Sequence, residues 1–176
     1  MSSDDQQNYF ELFGIKPAFC IDKQSVEKVY LKLQALLHPD RFATTSEQQR
    51  RIAAQKSAYL NEAYDALMDT CTRADYLLKL RGHAIDANAS MSDADFLTEQ
   101  MEYRERLEDA AAEQSAEQAV ALCNEIDKQS TDINKDFEHA YSENMFDTAQ
   151  SLLARMRFMK KLKTEAEAIV ADKESL

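Results

Sequence analysis

The sequence predicts an all-α protein, and three observations lead there. Glycine and proline number two each in 176 residues, far below average usage, so the chain lacks the turn residues that a sheet requires. Ala, Leu, Glu, Gln, Lys and Met dominate, and these are good helix formers. Apolar residues recur at helical spacing in several long segments.

The first helix is short: "NYFELFG" ends at Gly14, which suits the left-handed position past a helix end. "IKPAFCID" is a loop, and Asp22 is placed to cap the next helix. That helix runs to about Leu37, with Val26, Tyr30, Leu33 and Leu37 on one stripe at i, i+4, i+7 and i+11. Lys28 and Lys32 fall off the stripe and are expected in solvent. Pro39 biases His38 away from the α region and ends the helix. After the loop "RFATT", Ser46 with Gln49 three residues on makes a capping-box pattern. The helix it opens reaches about Met68, and Ile52, Tyr59, Ala63, Tyr64 and Leu67 form its expected buried face, flanked by Ala53 and Leu60. Two antiparallel helices thus flank His38-Pro39-Asp40, with the first helix packed across them.

"TRADYLLKLRG" reads as a short helix ending before Gly82, and "GHAIDANASMS" as the main loop, with Ser92 as the next cap. The helix Asp93–Ala111 buries Phe96, Tyr103 and Leu107. After a break near "AEQS" a helix runs from about Ala116 to Ala140, burying Val120, Leu122, Ile126, Ile133 and Phe137. "YSEN" makes a turn. The last helix, Met145 to Ala171, buries Phe146, Leu152, Leu153, Met156, Leu162, Ile169 and Val170. Long helices with short connections read as an antiparallel bundle. The chain is expected to divide near residues 72–76, into 1–75 and a three-helix bundle over 76–176.

Net charge is −11, which argues against nucleic acid or a membrane surface as the main partner, since both require cations. The charge is uneven. Residues 1–75 carry 9 Lys and Arg against 11 Asp and Glu, and residues 76–176 carry 12 against 21. Within 24–60 the balance reverses, with Lys28, Lys32, Arg41, Arg50, Arg51 and Lys56 facing only Glu27, Asp40 and Glu47. A basic patch therefore surrounds the His-Pro-Asp turn. Cys20, Cys71 and Cys123 are odd in number and widely spaced, so neither a disulfide framework nor a zinc site is expected. "MSSDDQQNYF" is acidic and has no apolar core, so no signal peptide is expected there. No apolar run approaches the roughly 18 residues of a spanning helix. The expected setting is the cytoplasm.

His38-Pro39-Asp40 is a weak motif alone, but its context is specific: an amphipathic helix before it, a short loop after it, then a helix holding "LNEAYDAL". With "YFELFGI" at the start and Tyr30 and Leu33 before the turn, residues 9–70 resemble a J domain, the module that stimulates ATP hydrolysis by DnaK-type chaperones. "TRADYLLKLRG", "DADFLTEQMEYRERLED" and "LARMRFMKKL" narrow the resemblance to HscB-type co-chaperones of iron–sulfur cluster assembly, over nearly the whole chain. It implies a J domain joined to a three-helix bundle. It also implies that His38, Pro39 and Asp40, with Lys28, Lys32 and Arg41 for steering, engage an HscA/DnaK-type chaperone. In this sequence Arg41 stands where Lys is common, and Leu37 replaces the usual aromatic.

The helix over 93–111 carries a second surface. Stepping about 100° per residue from Phe96 leaves Tyr103 and Leu107 on the core side. Leu97 and Met101 fall at about 100° and 140°, and Glu105, Asp109 and Glu102 at about 180°, 220° and 240°. Two apolar side chains off the core stripe, beside three acids, have the layout of a docking strip with an apolar centre and charged rim. The alternative from periodicity is a broad core stripe with a solvated acidic edge. In the HscB resemblance this face, with Thr98 in place of a larger apolar residue and Phe158 on the last helix nearby, binds the cluster scaffold protein IscU.

No Gly-rich phosphate loop and no nucleophile triad is evident, so no enzyme activity and no cofactor are expected. Asp136 and His139 have a metal-ligand spacing, but a di-iron bundle requires two such pairs and more inward acids. An acidic metal-carrier bundle, or a J-domain adaptor for another client, are the rival readings.

Overall fold

Several helices of this protein start at side chains that cap them, among them Asn8, Asp22, Ser46 and Asp69. The computed structural model describes residues 7–42, 45–84, 94–112 and 116–175. Among these residues it is all-α, with α1 (Tyr9–Leu12), α2 (Lys23–Leu37), α3 (Glu47–Met68), α4 (Thr70–Leu80), α5 (Ala94–Ala112), α6 (Glu117–Ser142) and α7 (Phe146–Glu174), and a 3-10 turn at Pro39–Phe42. The chain forms two compact units, Met1–Arg81 and Gly82–Leu176. No helix among the described residues is long and apolar enough to cross a membrane.

In the first unit, Asn8 and Glu11 close a capping box on α1, and Gly14 takes the left-handed φ of +68° that ends it. Asp22 caps α2 by accepting from the Gln24 and Ser25 N–H groups and from the Ser25 hydroxyl. The Ser25 hydroxyl bond is the main reason its carboxyl sits below the usual range. Ser46 and Gln49 form the expected capping box on α3. Asp69 ends α3 and caps α4 through the Thr72 N–H.

α2 lies against α3. Val26 is fully buried, Tyr30 stacks on Tyr64 at 4.0 Å, and the Tyr30 hydroxyl donates to Asn61 at 3.1 Å. The buried line of α3 is Ala53, Leu60, Ala63 and Leu67, while Ile52 is 42% exposed. This corrects the expectation that Ile52 leads the buried face. Alanines at 53 and 63 allow close helix approach, and Ile52 lies about 100° round the helix from Ala53. α1 packs on α3 and α4: Tyr9 stacks on Tyr76 at 4.1 Å, its N–H donates to the Tyr76 hydroxyl, and its hydroxyl donates to Glu62 at 2.7 Å.

Arg73 is buried, at 4% exposure. Its Nε donates to the Phe19 carbonyl at 2.7 Å, its Nη1 donates to the Leu67 carbonyl, and its guanidinium covers the Phe19 ring. Desolvation lowers its pKa, while the two backbone acceptors keep its donors satisfied. One side chain thus joins the loop before α2 to the end of α3. With Leu77 and Leu78 also fully buried, α4 belongs to the first unit, and a division at residues 72–76 falls inside it. The sequence shows this helix, but not the contacts of Arg73 with Phe19 and Leu67 that hold it in the first unit.

In the second unit α5 and α6 are antiparallel, as are α6 and α7, so α5 runs parallel to α7. Cross-links in order along both helices show this: Glu99 with Arg155 at 3.4 Å, Arg104 with Glu165 at 3.0 Å, and the Ala111 carbonyl with Lys173 at 3.1 Å. The core is Phe96, Tyr103, Leu107 and Ala110 of α5, Ala119, Leu122, Ile126, Ile133, Phe137 and Ala140 of α6, and Ala149, Leu153, Met156, Met159, Leu162 and Ala166 of α7. Val120, expected inside, is 41% exposed because Ala119 holds the inward position. Ile169 and Val170, also expected inside, are half-buried. The α6–α7 turn uses Asn144 at φ +57°, and Met145 N–H donates to the Ala140 carbonyl at 2.8 Å. His83 is held in this unit, stacked on Phe146 at 4.0 Å. The Ser92 cap and the break at 113–115 lie outside the described residues.

Candidate functional site

Two exposed surfaces carry the chemistry singled out in the sequence, one in each unit. The first is the tip between α2 and α3. His38 has φ −58° and ψ 134°, the extended conformation that a following proline imposes. The chain then turns through Pro39–Phe42, with Arg41 N–H donating to the His38 carbonyl at 3.0 Å. Asp40 N–H points to the imidazole Nδ1 at 3.4 Å. The exposed ring leaves its second nitrogen, Nε2, to meet a partner. The Asp40 carboxylate lies 3.6 Å from Nδ1, and the side chains of His38 and Asp40 are 58% and 91% exposed.

The tip therefore presents an imidazole and a carboxylate on a backbone restrained by Pro39 and closed by one hydrogen bond. Lys28, Lys32 and Arg41 are exposed, so the basic residues singled out around the motif are solvent-facing. Behind the tip lies a cleft of about 380 Å³ between Leu37 and Phe42 on one side and Arg50, Ala53, Ala54 and Ala58 of α3 on the other. Sequence reasoning missed it. The only signal was the run of small residues on α3, which leaves a hollow where larger side chains would fill.

The second surface is the outer face of α5. Phe96, Tyr103 and Leu107 are buried, whereas Leu97 and Met101 are 52% and 73% exposed. Glu102, Glu105 and Asp109 are also exposed. The alternative of a broad core stripe therefore fails: the apolar pair lies outside the core, bordered by acids. Thr98 is exposed, and its hydroxyl donates to the Ala94 carbonyl at 3.0 Å, so the polar group is satisfied within the helix. Phe158 is half-buried on α7, edge-on to Phe96 at 5.7 Å and to Tyr103 at 6.2 Å. Its ring thus supports the inward side of α5 rather than standing free beside Leu97 and Met101.

Ion pairs fix this helix. Arg106 holds Glu125 of α6 through Nη1 and Nη2 at 2.8 and 2.6 Å and covers the Tyr103 ring. These bonds pull the Glu125 carboxyl below its ordinary value. Burial, with Glu125 nearby, pushes the Tyr103 hydroxyl up to about 12. Among the described residues no group of three or more His, Cys, Asp and Glu side chains is disposed to hold a metal ion.

Comparison with known proteins gives a consistent result. A family model described as the HSCB C-terminal oligomerisation domain matches residues 92–167. A co-chaperone protein HscB homologue of Pseudoalteromonas atlantica is 36% identical over 167 residues, covering 91% of this chain and 94% of its own. The chaperone HscB from Vibrio cholerae superposes with a TM-score of 0.86 at 34% identity, over 95% of this chain and 99% of its own. The human co-chaperone protein HscB also superposes at 0.86, at 28% identity, over 100% of this chain and 87% of its own.

Proposed function

This chain belongs to the HscB family of J-type co-chaperones, and from that premise we propose that it stimulates ATP hydrolysis by an HscA/DnaK-type chaperone and delivers an IscU-type iron–sulfur scaffold protein to it. The observation that carries the reading is the tip at His38-Pro39-Asp40, where the His38 and Asp40 side chains are exposed and Lys28, Lys32 and Arg41 beside them face solvent. In this reading the His38 imidazole and the Asp40 carboxylate meet donors and acceptors of the chaperone, and the cations steer the approach to an acidic surface. The ATP site and the chemistry belong to the chaperone.

The scaffold docks on α5 in the same reading. Leu97 and Met101 are the apolar centre, and Glu102, Glu105 and Asp109 the charged rim, with Thr98 between them. Phe158 contributes by supporting α5 from beneath. Holding both partners raises the effective concentration of scaffold at the chaperone, and stimulated hydrolysis then traps the scaffold and promotes cluster transfer in the cytoplasm.

The test is the steady-state ATPase rate of an HscA-type chaperone with this protein, with and without an IscU-type scaffold. Stimulation by the protein, raised further by the scaffold, is the expected result. A rate unchanged by the protein overturns the chaperone assignment. Stimulation that is indifferent to the scaffold, together with no binding between scaffold and protein, overturns the client assignment.

A further inference from the structure

Glu102, Glu105 and Asp109 line one border of the Leu97–Met101 pair, and the exposed Glu108, at about 120° from Phe96, continues the acids along the line of the pair four residues after Arg104. On the helical wheel that sets Phe96 at zero, Arg104 falls at about 80°, on the opposite border from Glu105, Asp109 and Glu102. Arg104 follows Met101 by three residues, so the two side chains are neighbours on the helix surface. The apolar pair thus lies between a carboxylate rail and a guanidinium.

That guanidinium is held but not used up. Arg104 donates from Nη1 to Glu165 of α7 at 3.0 Å, and its side chain remains 47% exposed. Arg106, two residues on, differs: both of its terminal nitrogens are engaged by Glu125 and its plane covers Tyr103. A guanidinium has five donors in a rigid fork. With Nη1 turned to Glu165, the edge formed by Nε and Nη2 is left to face a ligand, and that edge matches a carboxylate in bidentate geometry. Glu165 also lies 3.9 Å from Lys161, which is 67% exposed, so the α7 side of this border adds a second cation.

We propose that Arg104 determines specificity on the α5 face by gripping a carboxylate of the docked scaffold protein, an inference that rests on reading this face as the scaffold's docking site. The partner surface is then mixed in charge: apolar at its centre, basic where it meets Glu102, Glu105 and Asp109, and acidic where it meets Arg104. A uniformly basic partner would satisfy the acids but set a cation against Arg104. A partner docked in reverse would meet like charges on both borders. Arg104 therefore fixes orientation as well as choice of partner, the general effect of charge complementarity across an interface.

The experiment is calorimetric titration of an IscU-type scaffold into the full chain, beside a melting curve for each variant. Arg104→Gln removes the fork and is expected to weaken binding three- to ten-fold. The exchanged pair Arg104→Glu with Glu165→Arg keeps an ion pair between α5 and α7 but puts a carboxylate where the fork was. It is expected to melt near wild type and to bind ten-fold or more weakly. If the exchanged pair binds like wild type, Arg104 serves only to pair with Glu165 and the inference is overturned. If the exchanged pair melts early, Arg104→Gln decides alone, and unchanged binding by it overturns the inference. Leu97→Ala with Met101→Ala separates the two readings. Lost binding there with full binding by both Arg104 variants removes the role of Arg104 and keeps the docking face. Normal binding by the Leu97 and Met101 variant removes the docking face and the inference with it.

Discussion

The tip after α2 and the outer face of α5 are both exposed and charged, yet they present their groups by different means. At the tip the helix stops: His38 is extended, the chain turns at Pro39–Phe42, and the recognition groups sit on irregular backbone closed by the Arg41-to-His38 hydrogen bond. On α5 the helix continues without a break, and Leu97, Met101 and the acids are displayed by its regular spacing while Phe96, Tyr103 and Leu107 anchor its other side. The tip offers hydrogen bonds and charge with little apolar area. The α5 face offers apolar area with charge at its borders. A surface of the first kind suits selective, transient engagement. One of the second kind suits a protein partner, because apolar burial supplies most of the binding free energy of such contacts.

The largest effect expected from breaking this contrast is at the tip. His38→Gln removes the imidazole from an exposed position, so stimulation of the chaperone's ATPase should be lost while stability changes by no more than about 0.5 kcal/mol, as for surface substitutions away from special features. Steady-state ATPase beside a urea melt checks both halves. Stimulation at the wild-type level would mean that the turn is only a helix stop.

Phe158→Ala should come next, and it marks where the α5 face ends and its support begins. The ring is half-buried against Phe96 and Tyr103, so truncation should cost about 2 kcal/mol, below the 3–5 kcal/mol of a fully buried Phe. Scaffold binding should weaken together with the melting temperature. Weakened binding at an unchanged melting temperature would instead make Phe158 a direct contact.

Leu97→Ala with Met101→Ala should lower scaffold binding ten-fold or more, about 1.4 kcal/mol or above, and lower the melting temperature little because both side chains lie outside the core. Glu105→Ala should do less, acting mainly through association rate. Titration of the scaffold into each variant orders them.

The smallest effect concerns the pair that holds α5 to α6. Glu125 has its carboxyl lowered by the hydrogen bonds from Arg106. Its contribution to stability is therefore present above the unfolded carboxylate value and is lost as pH falls through the lowered value. Side chains of this pair are 45% and 40% exposed, so the contribution is under about 1 kcal/mol. Urea melts of wild type and Glu125→Gln should differ slightly at pH 7 and converge as pH falls through the lowered value. A difference that does not shrink on acidification would contradict the assignment.

Much of this protein is written locally in its sequence. Two glycines and two prolines leave little but helix. Asp22 and Ser46 cap α2 and α3, Gly14 ends the first helix, and Pro39 holds His38 extended. The buried Phe96/Tyr103/Leu107 line of α5 follows from 3.6-residue spacing. Each of these depends on interactions within about four residues, which the order of amino acids states outright. Tertiary structure decided the rest. The exposure of Leu97 and Met101, which spacing left open, was decided by the packing of the bundle. Ala53 and Ala119 are buried where the larger Ile52 and Val120 are exposed, because what faces a neighbouring helix depends on how closely that helix approaches. Arg73 is buried because the Phe19 and Leu67 carbonyls converge on it from elsewhere in the chain. Phe158 finds Phe96 and Tyr103, and Arg104 finds Glu165, through the parallel alignment of α5 with α7. Spacing along one helix carries no information about the contacts of Phe158 and Arg104, since they exist only once α6 has reversed the chain and brought α7 back alongside α5.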